Sequence, residues 1–435
     1  MTMDAAILLT ERTLTVKVVI NGVIIQMESP TSDTGIPGIG GINFTKSLDS
    51  PVPVCSIEVN RIPTWIKRGQ LVEVNLGYNG LYRRIFTGYV QDRSRGLGRG
   101  TIHCLGKLWT AFRTVEIPER SVDGLTVAAA LAAILDDVGI TERNVTVDAW
   151  TLGSASDAKL ERMPASQMLQ MLMDLVNARI YELASGTIRI STLEELPAPT
   201  AYKTYTTTAN ATARIVEGSD HEDPDYIRTR MIVTGATIVE GAAPDETSRT
   251  VTATATLIDS PLVQPPLPSG TYIDAEYSNS LIDTDAKAAE LAGIYLTRFA
   301  RIPRVLTVEI TGDPQIELCK TIELDFPEIG AEGNFFVSGV EQIVDGSGFV
   351  TRMTLRGGDE LGGTVGINPV AQFTYKVDRE VIGTAVFTFA TFDATTSFDP
   401  DGTIASYAWS DDQSTTPEIA TKTTAVATVR ADTSG

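Results

Sequence analysis

Short alternating apolar and polar runs, broken by turn residues, are the feature that most limits what this chain can fold into. VKVVINGVIIQ (Val16 to Gln26) carries Asn21-Gly22, a pair that accepts the positive φ angles of a two-residue hairpin turn. Asn79-Gly80 repeats the signal between LVEVNLGY (Leu71 to Tyr78) and RIFTGYVQDR (Arg84 to Arg93). With CSIEV (Cys55 to Val59) and TIHCLG (Thr101 to Gly106), these runs predict a small barrel or sandwich.

The apolar period then changes. LTVAAALAAILDDVGI (Leu125 to Ile140) sets Leu131, Ile134, Leu135 and Val138 on one helical face. Ser121 or Asp123 is placed to cap it, and Gly139 to end it. PASQMLQMLMDLVNARI (Pro164 to Ile180) predicts a second helix with Pro164 in its first turn. IYELASGTIRIS follows as a hairpin turning at Ser185-Gly186. Strand patterns return after the PAPTAYK linker, at ATARIVEG, YIRTRMIVTGA and SRTVTATATLID. The proline-rich SPLVQPPLPSG (Ser260 to Gly270) reads as an extended loop. TDAKAAELAGIYLTRFAR (Thr284 to Arg301) is a third helix, with Leu291, Ile294, Tyr295 and Phe299 as its apolar face. RVLTVEI, TIELDF, NFFVSGVEQIV and FVTRMTLRG complete a second β unit near Gly358.

The expected fold is mainly β with a small α+β insert: two β-barrels plus a C-terminal β-sandwich. Its segments are a first barrel (1–117), a helix-plus-hairpin insert (118–200) and a second barrel with a packed helix (201–360). A Gly-rich linker (361–367) and a sandwich (368–435), minimal or truncated, follow. A chain of 435 residues accommodates several such domains.

Chemistry is harder to find than structure. The 55 acidic residues outnumber the 35 basic ones, for a net charge of −20, which suits solubility or a surface past which DNA slides without sticking. Cys55, Cys104 and Cys319 form no CxxC pair, and His103 and His221 are the only histidines, so neither a disulfide framework nor a multi-histidine metal site is expected. GIPGIGG (Gly35 to Gly41) and GLGRG (Gly96 to Gly100) do not fit a phosphate loop. Neighbours on a strand point to opposite faces, so His103 does not activate Cys104. His221 lies in the acidic SDHEDPD, read as a solvated turn before a cation loop. Asp136-Asp137 and Glu194-Glu195 carry no glycosidase signature. In DPDG, Asp399 and Asp401 are the one candidate metal pair, for calcium, against an ordinary Asp-stabilised turn. No cofactor and no enzymatic activity are expected. The N-terminus shows no signal-peptide pattern and no run is long enough to span a membrane, so synthesis in a cytoplasm is expected.

Two resemblances add to this reading. GQLVEVNLGY followed by RRIFTGYVQDRSRG (Arg83 to Gly96), the two central helices, and TDAKAAELAGIYLTRFARIPR leading into RVLTVEITGDPQIELCKTIELDFP together resemble the phage tail hub (baseplate hub, tail-tip hub) family. The resemblance covers Val16 to Gly358. It implies two tail-tube-like barrels and a homotrimeric, pseudo-sixfold ring joining a hexameric tail tube to the tip around the DNA channel of a virion. The implied partners are the tail tube or distal tail protein, the tape-measure protein and tip fibre or spike proteins, with DNA only as transiting cargo. NPVAQFTYKV and FDATTSFDPDGTIASYAWS (within Asn368 to Ser410) are similar to a PKD-type immunoglobulin-like domain, with Phe392, Tyr407 and Trp409 at core positions. Trp409 is followed by SDDQSTT where that family has F-G-D-G. This resemblance implies contact with a host surface glycan or a spacer role. A distal tail ring adaptor, a secretion-system spike hub, a tail-associated cell-wall hydrolase and a secreted carbohydrate-binding adhesin are the alternatives. The expected interface is the set of barrel-edge strands, marked by Val72, Val74, Phe86, Tyr89, Val308, Ile310, Ile322 and Leu324.

Overall fold

The computed structural model describes residues 13–26, 38–96, 99–113, 115–153, 158–193, 197–207, 214–222, 227–240, 247–257, 271–300, 304–346, 348–357, 374–382, 385–394, 397 and 426–431. The fold is mainly β. Compactness divides the chain into two units. The first gathers residues 1–153, 157–224 and 303–361, and the second gathers 154–156, 225–302 and 362–435.

The first unit begins with β1 (Leu14–Ile20), β2 (Val23–Gln26), β3 (Ile39–Ser47), β4 (Val54–Val59), β5 (Leu71–Tyr78), β6 (Leu81–Arg95) and β7 (Gly100–Gly106). Both expected Asn-Gly turns form. Asn21 and Gly22 take φ of 48° and 80°, and Asn79 and Gly80 take 53° and 80°. Val16, Val18, Ile20, Val72, Val74, Leu76, Ile57 and Ile102 point inward at alternate positions and fill one core.

The helical insert follows: α1 (Val127–Asp137), β8 (Arg143–Thr146), α2 (Ala165–Asp174), β9 (Ala178–Glu182) and β10 (Ile188–Thr192). The cap of α1 is Thr126, whose side chain accepts from Ala129 N at 3.2 Å, rather than Ser121 or Asp123. Gly139 ends that helix region with φ of 79°. Pro164 stands at the N-cap of α2, and the helix stops at Asp174, so Ala178 to Ile180 belong to a strand. Glu182 fixes the insert to the end of β7. Its two carboxylate oxygens accept the backbone N–H groups of Lys107 and Leu108, each at 3.0 Å. Burial nevertheless pushes its pKa up to about 7.

Beyond the insert come β11 (Thr204–Thr206) and β12 (Ile215–Glu222). Then follow β13 (Arg230–Glu240), β14 (Thr247–Thr256), β15 (Asp274–Ser278) and α3 (Asp285–Phe299) of the second unit. The chain returns to the first unit at β16 (Arg304–Thr311), β17 (Thr321–Phe326), β18 (Ala331–Asp345) and β19 (Gly348–Arg356). Leu306, Val308, Ile310, Ile322, Leu324, Phe335, Met353 and Leu355 make a second core there.

Hydrogen bonding links the main strands of the first unit into one thirteen-stranded sheet in the order β12-β16-β19-β18-β3-β4-β7-β6-β5-β1-β2, with β17 branching from β18 and carrying β11. The two expected barrels are therefore two cores on one sheet. Strand pairing traces no closed barrel among the described residues, although an isolated bridge from Thr206 to Arg214 brings the β11 and β12 ends together.

In the second unit, β13 pairs antiparallel with β14 and parallel with β15. The helix α3 is capped by Thr284, whose side chain accepts from Lys287 N at 3.3 Å. It buries Leu291, Tyr295 and Leu296, whereas Ile294 and Phe299 stay half-buried. The C-terminal strands β20 (Thr374–Ile382), β21 (Ala385–Asp393) and β22 (Val426–Ala431) form a three-stranded antiparallel sheet. Asp399, Asp401, Tyr407 and Trp409 lie outside the described residues, as does the proline-rich loop 260–270.

Candidate assembly surface

The first unit contains the same five-strand pattern twice. β3-β4-β7-β6-β5 lie side by side in one half, and β12-β16-β19-β18-β17 lie side by side in the other. Two of the irregularities match as well. The β3–β4 ladder bulges between Ile39 and Gly41, and the β12–β16 ladder between Ile215 and Glu217. The β6–β7 ladder bulges between Val90 and Asp92, and the β18–β19 ladder between Val337 and Gly339. Bulges at equivalent places bend both halves alike.

The loops agree as well. Gly69 N donates to Val90 O at 2.8 Å and Val90 N donates to Gln70 O at 2.9 Å. In the second half, Cys319 N donates to Val337 O at 2.9 Å and Val337 N donates to Lys320 O at 2.8 Å. Gly69 and Cys319 hold the same left-handed conformation, with φ of 82° and 61°. A Cβ on Gly69 would meet nothing within 4 Å, so only the backbone resists substitution there. Gly69→Ala is expected to lower stability by about 1 kcal/mol in urea denaturation, the usual penalty for that conformation. An unchanged midpoint would contradict it.

The halves join through a β3–β18 ladder running from Gly339 opposite Ser47 to Val344 opposite Ile42. Tyr78 OH donates to Gly312 O at 2.9 Å across the join, and Tyr78 and Phe349 rings stand 5.9 Å apart. Arg83 with Glu317 and Arg356 with Asp49 pair at 2.9 and 2.8 Å.

The strands expected as interface prove to be internal. β5 lies between β6 and β1, β16 between β12 and β19, and β17 between β18 and β11. Val72, Val74, Phe86, Val308, Ile310, Ile322 and Leu324 fill the chain's own cores, and only Tyr89 of that set is exposed, at 37%. The physical reason is that alternation marks which residues face a core, not which strand is outermost. Edges of the large sheet without a strand partner among the described residues include the outer side of β2, the outer side of β12 beyond Arg214, and the second half of β6 from Asp92 to Arg95. Val23 and Ile24 are exposed on β2, at 39% and 44%, and Val216 on β12, at 59%. The start of β12 was legible as a strand, but Ser219 to Glu222, with His221, read as part of an acidic turn and instead continue the strand against β16. The strand's place at the edge depends on pairings made far along the chain.

Nucleophilic chemistry is poorly served in this unit. His103 faces Ser56, with Nδ1 3.2 Å from Oγ, while Cys104 points into the core beside Cys55. Burial pushes the Cys104 thiol up to about 12 and the Cys55 thiol well above its usual value, so neither offers a thiolate. Among the described residues no three His, Cys, Asp or Glu side chains are gathered in a way that would hold a metal ion. No described helix is long and apolar enough to cross a membrane.

The first unit is thus a duplicated β unit whose large sheet has edges that lack strand partners among the described residues. Comparison with solved structures places the fold more narrowly: it is that of phage tail proteins. The chain is similar to the tail protein from Neisseria meningitidis MC58, with a TM-score of 0.57, 12% identity, and coverage of 79% of this chain and 96% of that one. It is also similar to the 43 kDa tail protein of prophage MuSo2 from Shewanella oneidensis, with a TM-score of 0.53, 15% identity, and coverage of 79% and 98%. No family model matches the sequence, and no curated protein does.

Proposed function

We propose that this protein is a structural hub of a phage-like tail tip or baseplate, acting by assembly and not by catalysis. The observation that carries the reading is the internal duplication, in which two equivalent five-strand units are tied by the β3–β18 ladder. Three such chains in a ring present six near-equivalent units, which suits a trimer that must meet a hexameric tail tube. The fold shared with the two tail proteins supports the same reading. The net charge of −20 suits a channel through which DNA slides as cargo. The partners in this reading are the tail tube or distal tail protein, the tape-measure protein and tip fibres or spike, in a virion. The strands β20–β22 belong to the segment proposed as a PKD-like, glycan-contacting or spacer domain.

Mass measurement of the purified chain over a wide concentration range tests this. A trimer, with threefold particles in electron micrographs, is expected. Sixfold rings would favour a distal tail adaptor, and a monomer at the highest concentrations would overturn the hub reading.

A further inference from the structure

The duplication leaves one pairing unmatched. In the first half, β3 has neighbours on both sides, β4 and β18. Its counterpart β12 has, among the described residues, only β16 along its length. In the second half, β18 has β3 alongside Gly339 to Val344. Among the described residues, the counterpart stretch of β6, starting at Asp92, pairs only with β7. Each half thus has what the other lacks: β12 is a β3 without its β18, and β6 is a β18 without its β3.

We propose that β12 of one copy pairs antiparallel with the Asp92–Arg95 edge of β6 in a second copy, reproducing between chains the β3–β18 ladder found within one. This rests on the hub reading above and names the strands that close its ring.

The matched bulges set the register. Ile39 and Gly41 correspond to Ile215 and Glu217, and Val90 and Asp92 correspond to Val337 and Gly339. Within the chain, Val340 stands opposite Lys46, Glu341 opposite Thr45 and Gln342 opposite Phe44. Between chains, the equivalent positions set Arg93 opposite Glu222, Ser94 opposite His221 and Arg95 opposite Asp220. Arg95 thus stands directly opposite Asp220, the arrangement that favours cross-strand pairing, while Arg93 donates to Ile66 O within its own chain. Exposure agrees with a missing neighbour. Val216, Glu217, Ser219, Asp220 and His221 are exposed on β12, whereas the equivalent strand β3 buries Gly41, Ile42, Phe44 and Lys46. On β6, Asp92, Ser94 and Arg95 are exposed. Asp220 also pairs within its own chain with Arg304 at 2.8 Å, which holds its carboxylate beside β16. Repetition of one head-to-tail contact closes a ring when the rotation allows it.

The full chain carrying Ser94→Cys and His221→Cys, mildly oxidised, provides the test. Disulfide-linked multimers on a denaturing gel are expected from the double variant, while each single variant stays one chain. Arg95→Glu, with an unchanged far-ultraviolet spectrum, is expected to weaken assembly at least tenfold (on the order of one opposed charge pair turned repulsive). Assembly by mass with no cross-link, and with Arg95→Glu assembling normally, would overturn this pairing while leaving the hub reading intact. A chain that stays monomeric throughout would overturn both.

Discussion

Asp313→Ala is expected to cost about 3–5 kcal/mol, the range for removing one partner of a buried ion pair. Asp313 lies in the turn after β16, its side chain only 2% exposed. One carboxylate oxygen accepts from Lys203 Nζ at 2.5 Å and from Tyr205 OH at 2.9 Å. The other accepts from Gln315 N at 2.9 Å. The Asp313 backbone is held too, its N–H donating to Thr351 Oγ1 at 2.9 Å and its carbonyl accepting from Gln342 Nε2 at 3.1 Å. Removing the carboxylate takes from a half-buried ammonium and a buried phenol the partner that compensated their desolvation. The loss should appear as a lower urea midpoint. Lys203→Met added to Asp313→Ala should cost little more, because the first change already removes the interaction. Additive losses would mean that Lys203 and Asp313 act independently.

This site shows where reading the sequence stops. Most strands of both halves, the turns and the helices were legible because each depends on local period and turn chemistry: Asn79-Gly80 needs no distant partner to be a hairpin. The strand β3 was not, because it begins inside the glycine-rich GIPGIGG, which reads as loop. The repeat was harder to see. The first half has Ile62 before Pro63 in the loop that leads to β5, and the second has Asp313 before Pro314. An apolar residue in one copy and a charged one in the other hide a shared backbone path. Edge position was the least legible property. The β3–β18 ladder joins residues some three hundred positions apart, and only that ladder reveals β12 and the end of β6 as the unpaired counterparts. Val72 and Val308 were conspicuous because they alternate, and alternation selected them for the core. The ends of helices shifted for a similar reason: Asp174 closes α2 because Ala178 is taken up by β9.

Lys46→Met is expected to raise stability at pH 7 by about 3 kcal/mol, and to do so less and less as pH rises. Lys46 sits in β3 opposite Val340, inside the ladder that ties the halves, and is 5% exposed. Its ammonium lies over the Phe44 ring, 5.7 Å from the centroid. Burial lowers its pKa from 10.5 to about 8, outweighing the nearby Glu317 carboxylate, which pulls it up. The sign follows from linkage. Below about pH 8 the lysine is protonated whether folded or unfolded, so the folded chain carries the full cost of a buried charge. Between about 8 and 10.5 the folded lysine is neutral while the unfolded one is still charged, and stability rises with pH. The two values differ by about 2.5, which at ~1.36 kcal/mol each gives the expected ~3 kcal/mol. Methionine keeps the stem's packing without the charge. Urea denaturation at pH 7 and pH 10 should therefore show a large gain for the variant at the lower pH and a much smaller one at the higher. Equal gains at both would mean that the gain comes from packing and not from the buried charge, and no gain at either would mean that Glu317 offsets the cost of burial. If the gain is found, Lys46 weakens the join of its own chain.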